Sequence, residues 1–376
     1  MSEARKTEVS CLCNLLACAF NGKTPVIDEK VDFKALLHLA KMHQVYNIIF
    51  PLISSLDCVP EEEKARFKDY SMSELKRMLV MNNEREQIFG ELTERGIRFM
   101  PLKGLIIKAY YPKESMRQMS DNDILFDEEN RNAVAEIMKA HGYKCTATGE
   151  NSDDYHKEPF STFEFHRTLF FEEHDFCPKF DKLWENAQQD SENPCLYHMN
   201  LNDVYIYNVC HMYKHYSTAG CGIRFLADNY LLLKKDGDKL DYGYINSRLD
   251  EFGILDFEKE TRELAFKLFD EKELDEKDEK LLEVFINFGI FGTGKVRITR
   301  ALEEMSEGSD LKSAKRKYIL RRLFPPKKKM LADYRALEKR PYLLPAYYFY
   351  RFFKGAAHSK ETLDEVKSVN SVKNKD

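Results

Sequence analysis

No run of uninterrupted apolar residues in this chain approaches the ~20 that a bilayer-spanning helix requires, so the sequence offers no spanning helix. There is no internal repeat, and the nine cysteines (11, 13, 18, 58, 145, 177, 195, 210 and 221) follow no regular spacing. An odd, scattered set in a 376-residue chain reads as free thiols in a reducing compartment rather than as a disulfide framework. Positive charge is not in excess either: 58 Lys and Arg against 63 Asp and Glu leave a net charge of −5. That balance excludes a generally basic nucleic-acid coat, so any anionic ligand has to be met by a local patch. The N-terminal "CLCNLLACAF" has the apolar content of a signal segment, yet Glu3 and Glu8 precede it, Asn14 interrupts it and no A-x-A site follows. An amphipathic first helix and a cytoplasmic protein are the expectation.

What is present is an ordinary globular composition, 43% hydrophobic and 32% charged, long enough for two or three domains. From about 9 to 90 the pattern is helical; Phe33, Leu36, Leu37, Leu39 and Ala40 recur at the spacing of one helix face, and Gly96 closes the last helix. The grammar then changes to alternation. "IRFMPLKG" reads as a strand, "LIIKAYYP" as a helix ended near Pro112, "DILF" as a second strand and "NRNAVAEIMKAHG" as a helix closing at Gly142. "YKCTAT" and "STFEFHRTLF" complete the block as strands, and helices return after about 185. The expected division is a helical region over 1–95, an α/β core over 96–182, a helical domain over 183–357 and a polar tail over 358–376.

The core carries the chemistry. In "MRQMSDNDILF", Asp121 and Asp123 point the same way along a strand, about 7 Å apart. Two carboxylates at that spacing suit a cation, although a solvated turn accounts for the same letters. In "LKG" a strand ends and a helix begins at Gly104 beside Lys103, an arrangement that suits phosphate as well as a plain turn. Arg117, four residues before Asp121, is within reach of a phosphate or of the doublet, or forms a surface salt bridge. "STFEFHRTLF", read as a strand, sets Thr162, Glu164, His166 and Thr168 on one face and Phe163, Phe165 and Leu169 on the other. That polar face is either the solvent side of an edge strand or the source of a third carboxylate, Glu164. Three acids, a glycine turn and a lysine are the kit of two-metal phosphoryl or nucleotidyl transfer, with Mg²⁺ or Mn²⁺ and an NTP.

The ordered set "MPLKG", "YYP", Arg117, "DNDILF", "HGY", "HKEP", "FEFHRTL", "HMYKH" and "GIRFLADNYLLL" resembles the uncharacterised nucleotidyltransferase-like family of bacteria, within the polymerase-β-like superfamily. "ALLHLAKMHQVYNIIFPLI" and "RPYLLPAYYFYRFF" extend the likeness over most of the chain. The resemblance implies that Gly104 touches the triphosphate with Lys103 before it, that Asp121 and Asp123 are paired metal ligands, and that Glu164 is the third carboxylate. It departs at Leu105, where the superfamily usually has Ser, so Lys103 or Arg117 must supply part of the phosphate binding.

Elsewhere several signals have plainer readings. His211 and His215 in "CHMYKHYSTAGC" lie at i, i+4 with Cys210 and Cys221 nearby, which reads as zinc, as a helix face turned to the cleft or as ordinary packing. Asp228 in "FLADNYLLL" supports the cleft or is a polar position on a buried helix. "GIFGTGKV" has P-loop spacing, but Val296 stands where a hydroxyl must meet Mg²⁺. "AKRKYILRRLFPPKKK", 314–329, has eight basic residues and no acid; it binds RNA or an acidic membrane surface, or balances the acidic stretch near 270–280.

The reading is an α+β protein with a small mixed-sheet nucleotidyltransferase core flanked by helical regions, moving an NMP group to an acceptor hydroxyl on a small molecule, RNA or protein. Its rivals are a non-catalytic nucleotide- or partner-binding protein that keeps the fold, and an RNA-binding module using 314–329.

Overall fold

The structure is a computed structural model that describes residues 3–171, 176–180, 182–218, 220–289, 298, 302, 311–327, 330, 331, 334 and 336–357. "GIFGTGKV" beyond Gly289 and the 358–376 tail lie outside them. Four helices come first: α1 (Glu3–Asn21), α2 (Phe33–Met42), α3 (Tyr46–Ser55) and α4 (Glu61–Glu94). α2 forms where expected because Asp32 caps it, accepting the N–H groups of Lys34 and Ala35, while Leu36, Leu37, Leu39 and Ala40 bury one face. α4 opens with Glu61, Glu62 and Glu63 at its positive end, and Gly96 just past its end adopts a left-handed φ of 67°.

The core then runs β1 (Phe99–Pro101), α5 (Gly104–Ile107), β2 (Asn122–Phe126), α6 (Arg131–Ala140), β3 (Lys144–Thr148), β4 (Ser152–Lys157) and β5 (Ser161–His166). The sheet order is β1-β2-β5-β4-β3. β2 and β5 pair in parallel and every other pair is antiparallel. The sequence reading lacks β4: "SDDYHK" has two adjacent aspartates and no apolar alternation, and it becomes a strand because β3 and β5 pair with it on both sides. β5 is consequently interior rather than an edge, and it stops at His166, before Thr168 and Leu169. The expected helix at "LIIKAYYP" is a four-residue turn continued as a 3₁₀ segment over Lys108–Tyr110.

Helices resume with α7 (Leu183–Asn186), interrupted by a short pair β6 (Gln188–Gln189) and β7 (Tyr197–His198), then α8 (Leu201–Thr218), α9 (Ile223–Asp236), α10 (Tyr242–Glu251), α11 (Leu255–Phe269) and α12 (Glu276–Phe288). Within the acidic stretch after 270, Asp275 and Asp278 meet Lys267, Glu276 meets Lys280, and Glu271 meets Lys23, just past the end of α1. Six of the basic residues around 314–329 and Lys312 belong to or follow the helix Leu311–Leu323.

The sheet divides two cores. On one face Ile124, Phe126, Phe163 and Phe165 pack with Ile88 and Leu92 of α4 and Val134, Ile137 and Met138 of α6. Each of those rings and aliphatic chains contributes roughly 1.5–3 kcal/mol of burial. On the other, Met100 and Leu125 join a larger cluster built from α1–α3 together with α8–α12. The N-terminal and C-terminal helices therefore share one core.

An imidazole is enclosed among these helices. His43, at the end of α2, is fully buried, and its Nδ1 accepts the backbone N–H of Ile223 at 3.4 Å. Burial pulls its imidazole down to about 4, against ~6.5 in an unfolded chain. Between those values the unfolded chain binds a proton that the folded chain excludes. The contribution is complete above pH 6.5 and is lost as pH falls toward 4, at most about 3 kcal/mol. Urea midpoints measured from pH 7 to 4 should fall, and His43→Asn, which keeps an acceptor, should flatten the fall; an unaltered acid slope in that variant would remove His43 from the account.

Candidate active site

β2 and β5 run in parallel with Asp123 opposite Glu164. Because side chains alternate along a strand, Glu164 and His166 share the face that Asp123 presents, away from the phenylalanines. His166 Nε2 lies 2.9 Å from Asp123 Oδ1 and 3.6 Å from Glu164 Oε2. Ser152, on β4, donates its hydroxyl to Glu164 Oε1 at 3.0 Å. Oxygens of Asp123 and Glu164 and a nitrogen of His166 lie within 4.8 Å of one another, close enough to hold one cation.

Lys103 is already there. Its Nζ is 2.6 Å from Asp123 Oδ1 and 3.7 Å from Glu164 Oε2. The residue has φ 49°, ψ −118°, a left-handed conformation that costs a non-glycine residue about 1–3 kcal/mol. Burial works against every charge in the cluster. Glu164 is nonetheless held well below the carboxylate range by the Lys103 ammonium and His166. His166 is raised above the usual imidazole value, since its hydrogen bonds to Asp123 and Glu164 outweigh burial and the nearby Lys103 charge. Asp121, just before β2, is pushed up to about 7 by burial and the Asp123 charge. Its carboxylate makes no hydrogen bond or salt bridge among the described residues.

The loop carrying Asp121 is fixed from behind. Arg77 of α4 donates to the Met119 carbonyl, Arg85 to Asn122 Oδ1 at 3.2 Å, and Asn122 Nδ2 to the Thr162 carbonyl at 3.3 Å. Arg117, expected at a phosphate, at the doublet or in a surface salt bridge, forms a buried salt bridge: its Nε and Nη2 donate to the two oxygens of Asp228 on α9, at 3.0 and 2.8 Å. Tyr111 donates its hydroxyl to Asp228 Oδ1 at 2.7 Å. Asp228 is thus a buried residue that also fixes the cleft, because a bidentate guanidinium needs a carboxylate there. Gly104 follows from this pair. A Cβ at that position would lie 2.4 Å from Arg117 Nη1 and 3.1 Å from Met119 Cγ, and Arg117 is not free to retreat.

All ten residues singled out from sequence border one cavity of about 240 Å³: Lys103, Gly104, Arg117, Asp121, Asp123, Glu164 and His166 on the sheet side, with His211, His215 and Asp228 from α8 and α9. His211 and His215 hydrogen-bond each other through their Nε2 atoms at 3.1 Å, and burial pulls both below the ordinary imidazole range, His215 to about 3. Cys210 is wholly buried in the helical core. The Cys210 sulfur therefore lies in the packing while both imidazoles border the cavity. Sequence reasoning passed over Asn208, Lys214, Arg224 and Asn229, which line the same cavity. Helical spacing contained the signal: Asn208, His211, Lys214 and His215 recur at three and four residues, and Arg224 precedes Asp228 by one turn. Asp154 was also missed; it is the β4 partner of Glu164, raised to about 6 by burial and the Glu164 charge.

The family model described as uncharacterised nucleotidyltransferase matches residues 29–270. No curated protein matches the chain. Two solved structures are similar at 12% identity: a solution structure of the antibiotic-resistance factor ANT(2'')-Ia, covering 51% of this chain and 95% of that one with a TM-score of 0.33, and a crystal structure of ANT(2'')-Ia in complex with adenylyl-2''-tobramycin, covering 47% and 97% with a TM-score of 0.34.

Removing one member of the buried Arg117–Asp228 pair strands a charge. Arg117→Met and Asp228→Leu should each lower unfolding free energy by about 3–5 kcal/mol, and the double variant should lose much less than the sum. Equilibrium urea unfolding of the three variants measures this; strict additivity would mean that the pair is not the fastening described.

Proposed function

From a chain that belongs to the uncharacterised nucleotidyltransferase family, we propose transfer of a nucleoside monophosphate from an NTP to an acceptor hydroxyl in the cavity between the sheet and α8–α9. The acceptor is a small molecule, an RNA or a protein side chain, and the working parts divide as a core over 96–182 and a helical domain over 183–357. The observation that carries the reading is the alignment of Asp123 with Glu164 across parallel strands, with His166 and Lys103 against both.

Asp121, Asp123 and Glu164 are the residues assigned to hold a divalent cation, Mg²⁺ or Mn²⁺. The donor chemistry fits: carboxylate oxygens suit hard cations, and the lysine ammonium at Asp123 and Glu164 marks the spot as one that favours positive charge. When bound, such a cation would neutralise the triphosphate and stabilise charge on the reacting oxygens. The side chains have separate tasks. Glu164, kept ionised by Lys103 and His166, is ready as a ligand and is a weak proton acceptor, so the ligand role suits it better than that of base. His166 orients Asp123. Arg117 closes against Gly104 and, through Asp228, holds the sheet side of the cavity to the helical side.

A second reading, a nucleotide- or partner-binding protein without catalysis, is favoured by the contact of Lys103 with Asp123, in which the ammonium supplies the charge a cation would bring. The two separate under one experiment. Calorimetry with each NTP and Mg²⁺ should give saturable binding that weakens at least tenfold in Asp121→Asn with Asp123→Asn. Incubation with α-labelled NTP and acceptor pools should then label a product in native chain but not in Glu164→Gln. Binding that survives in Glu164→Gln with no labelling by either chain would favour the second reading; no NTP binding by folded native chain would sink both.

A further inference from the structure

Two cations in the cavity are left without a carboxylate. Lys103 is matched by Asp123 and Glu164, and Arg117 by Asp228. Lys214 of α8 has no side-chain hydrogen bond or salt bridge among the described residues, and burial with the Lys103 charge lowers its pKa. Arg224 of α9, 8% exposed, donates among the described residues to uncharged oxygens, the Gln44 side chain and the Gln118 carbonyl. In the lining of the same cavity, the Asn208 Nδ2 amide is buried without a hydrogen-bond partner among the described residues. A desolvated ammonium, a guanidinium and an unused amide donor on one wall form an arrangement that is costly unless a ligand brings negative charge and acceptor oxygens.

The turn at Gly104 is poorly placed to do that work. α5 has only four residues, Lys103 is drawn to the acids, and Arg117 is drawn to Asp228. We propose that the wall formed by α8 and α9 is a polyphosphate subsite, in which Lys214, Arg224 and Asn208 seat the β- and γ-phosphates of the NTP and hold pyrophosphate as it leaves. The assignment rests on the nucleotidyltransferase reading for its substrate, but the subsite itself recognises inorganic polyphosphate. It also accounts for a chain with Leu105 at the position where a serine hydroxyl would otherwise meet the phosphates: the contacts come from the opposite wall.

The test is calorimetry of inorganic pyrophosphate and tripolyphosphate against the full chain in EDTA, native and with Lys214→Met, Arg224→Met and Lys214→Arg. Saturable binding to native chain, weakened at least tenfold by each methionine variant and within about threefold of native in Lys214→Arg, is the expected result. Lys214→Met should also melt no lower than native, because burial and the Lys103 charge already work against the ammonium it removes and no salt bridge among the described residues is lost; a structural role would lower it. Absence of pyrophosphate and tripolyphosphate binding by native chain, or equal binding by all four, overturns the subsite. Parallel titrations with Mg-NTP separate the two claims. Mg-NTP binding that needs Asp121 and Asp123 but is indifferent to Lys214 and Arg224 leaves the proposed function standing and removes the subsite. Polyphosphate binding that needs Lys214 and Arg224, in a chain that binds no Mg-NTP, leaves the subsite and removes the function.

Discussion

The parallel pairing of β2 with β5 is the constraint on which the cavity depends. A one-residue slip between those strands would turn Glu164 and His166 into the phenylalanine core and bring Phe163 or Phe165 against Asp123. The register is held because both faces of β5 are committed. Phe163 and Phe165 are wholly buried against α4 and α6, while Glu164 and His166 bond to Asp123, Ser152 and Lys103. Apolar burial on one side thus fixes where charge sits on the other.

The second fastening is polar. Asp228 receives Arg117 and Tyr111 from the core, and Arg224 reaches Gln44 and the Gln118 carbonyl, so α9 is tied both to the core loop and to the end of α2. Dispersion and area burial assemble the helical mass, yet they are non-directional. The position of α9 relative to the acids is set by these few directional bonds, made by residues that are themselves largely buried.

Much of this was legible in the sequence, and unevenly so. β2 and β5 announced themselves because an apolar alternation is interrupted by acids at fixed parity, as in Glu164 between Phe163 and Phe165. The ten chosen residues do meet around one cavity, since strand parity and helix spacing carry directly into three dimensions. β4 was not legible: its strand character comes from two neighbours supplying hydrogen bonds, which no local pattern encodes. The partner of Arg117 was not legible either, because Asp228 lies 111 residues away and only the packed fold brings the two together. Lys214 and Arg224 went unremarked for a related reason. A lysine in a helix reads as solvent-facing until the cavity behind it is known.

α8 has a double character with a consequence for how such a protein changes over time. Tyr205, Val209, Cys210 and Met212 belong to the shared core, whereas Asn208, His211, Lys214 and His215 line the cavity. Structural integrity and ligand choice are therefore written on different faces of the same helix. Substitutions on the cavity side can retune what the wall accepts while the packing that locates the wall is left intact, so descendants of this fold can diverge in substrate without first paying in stability.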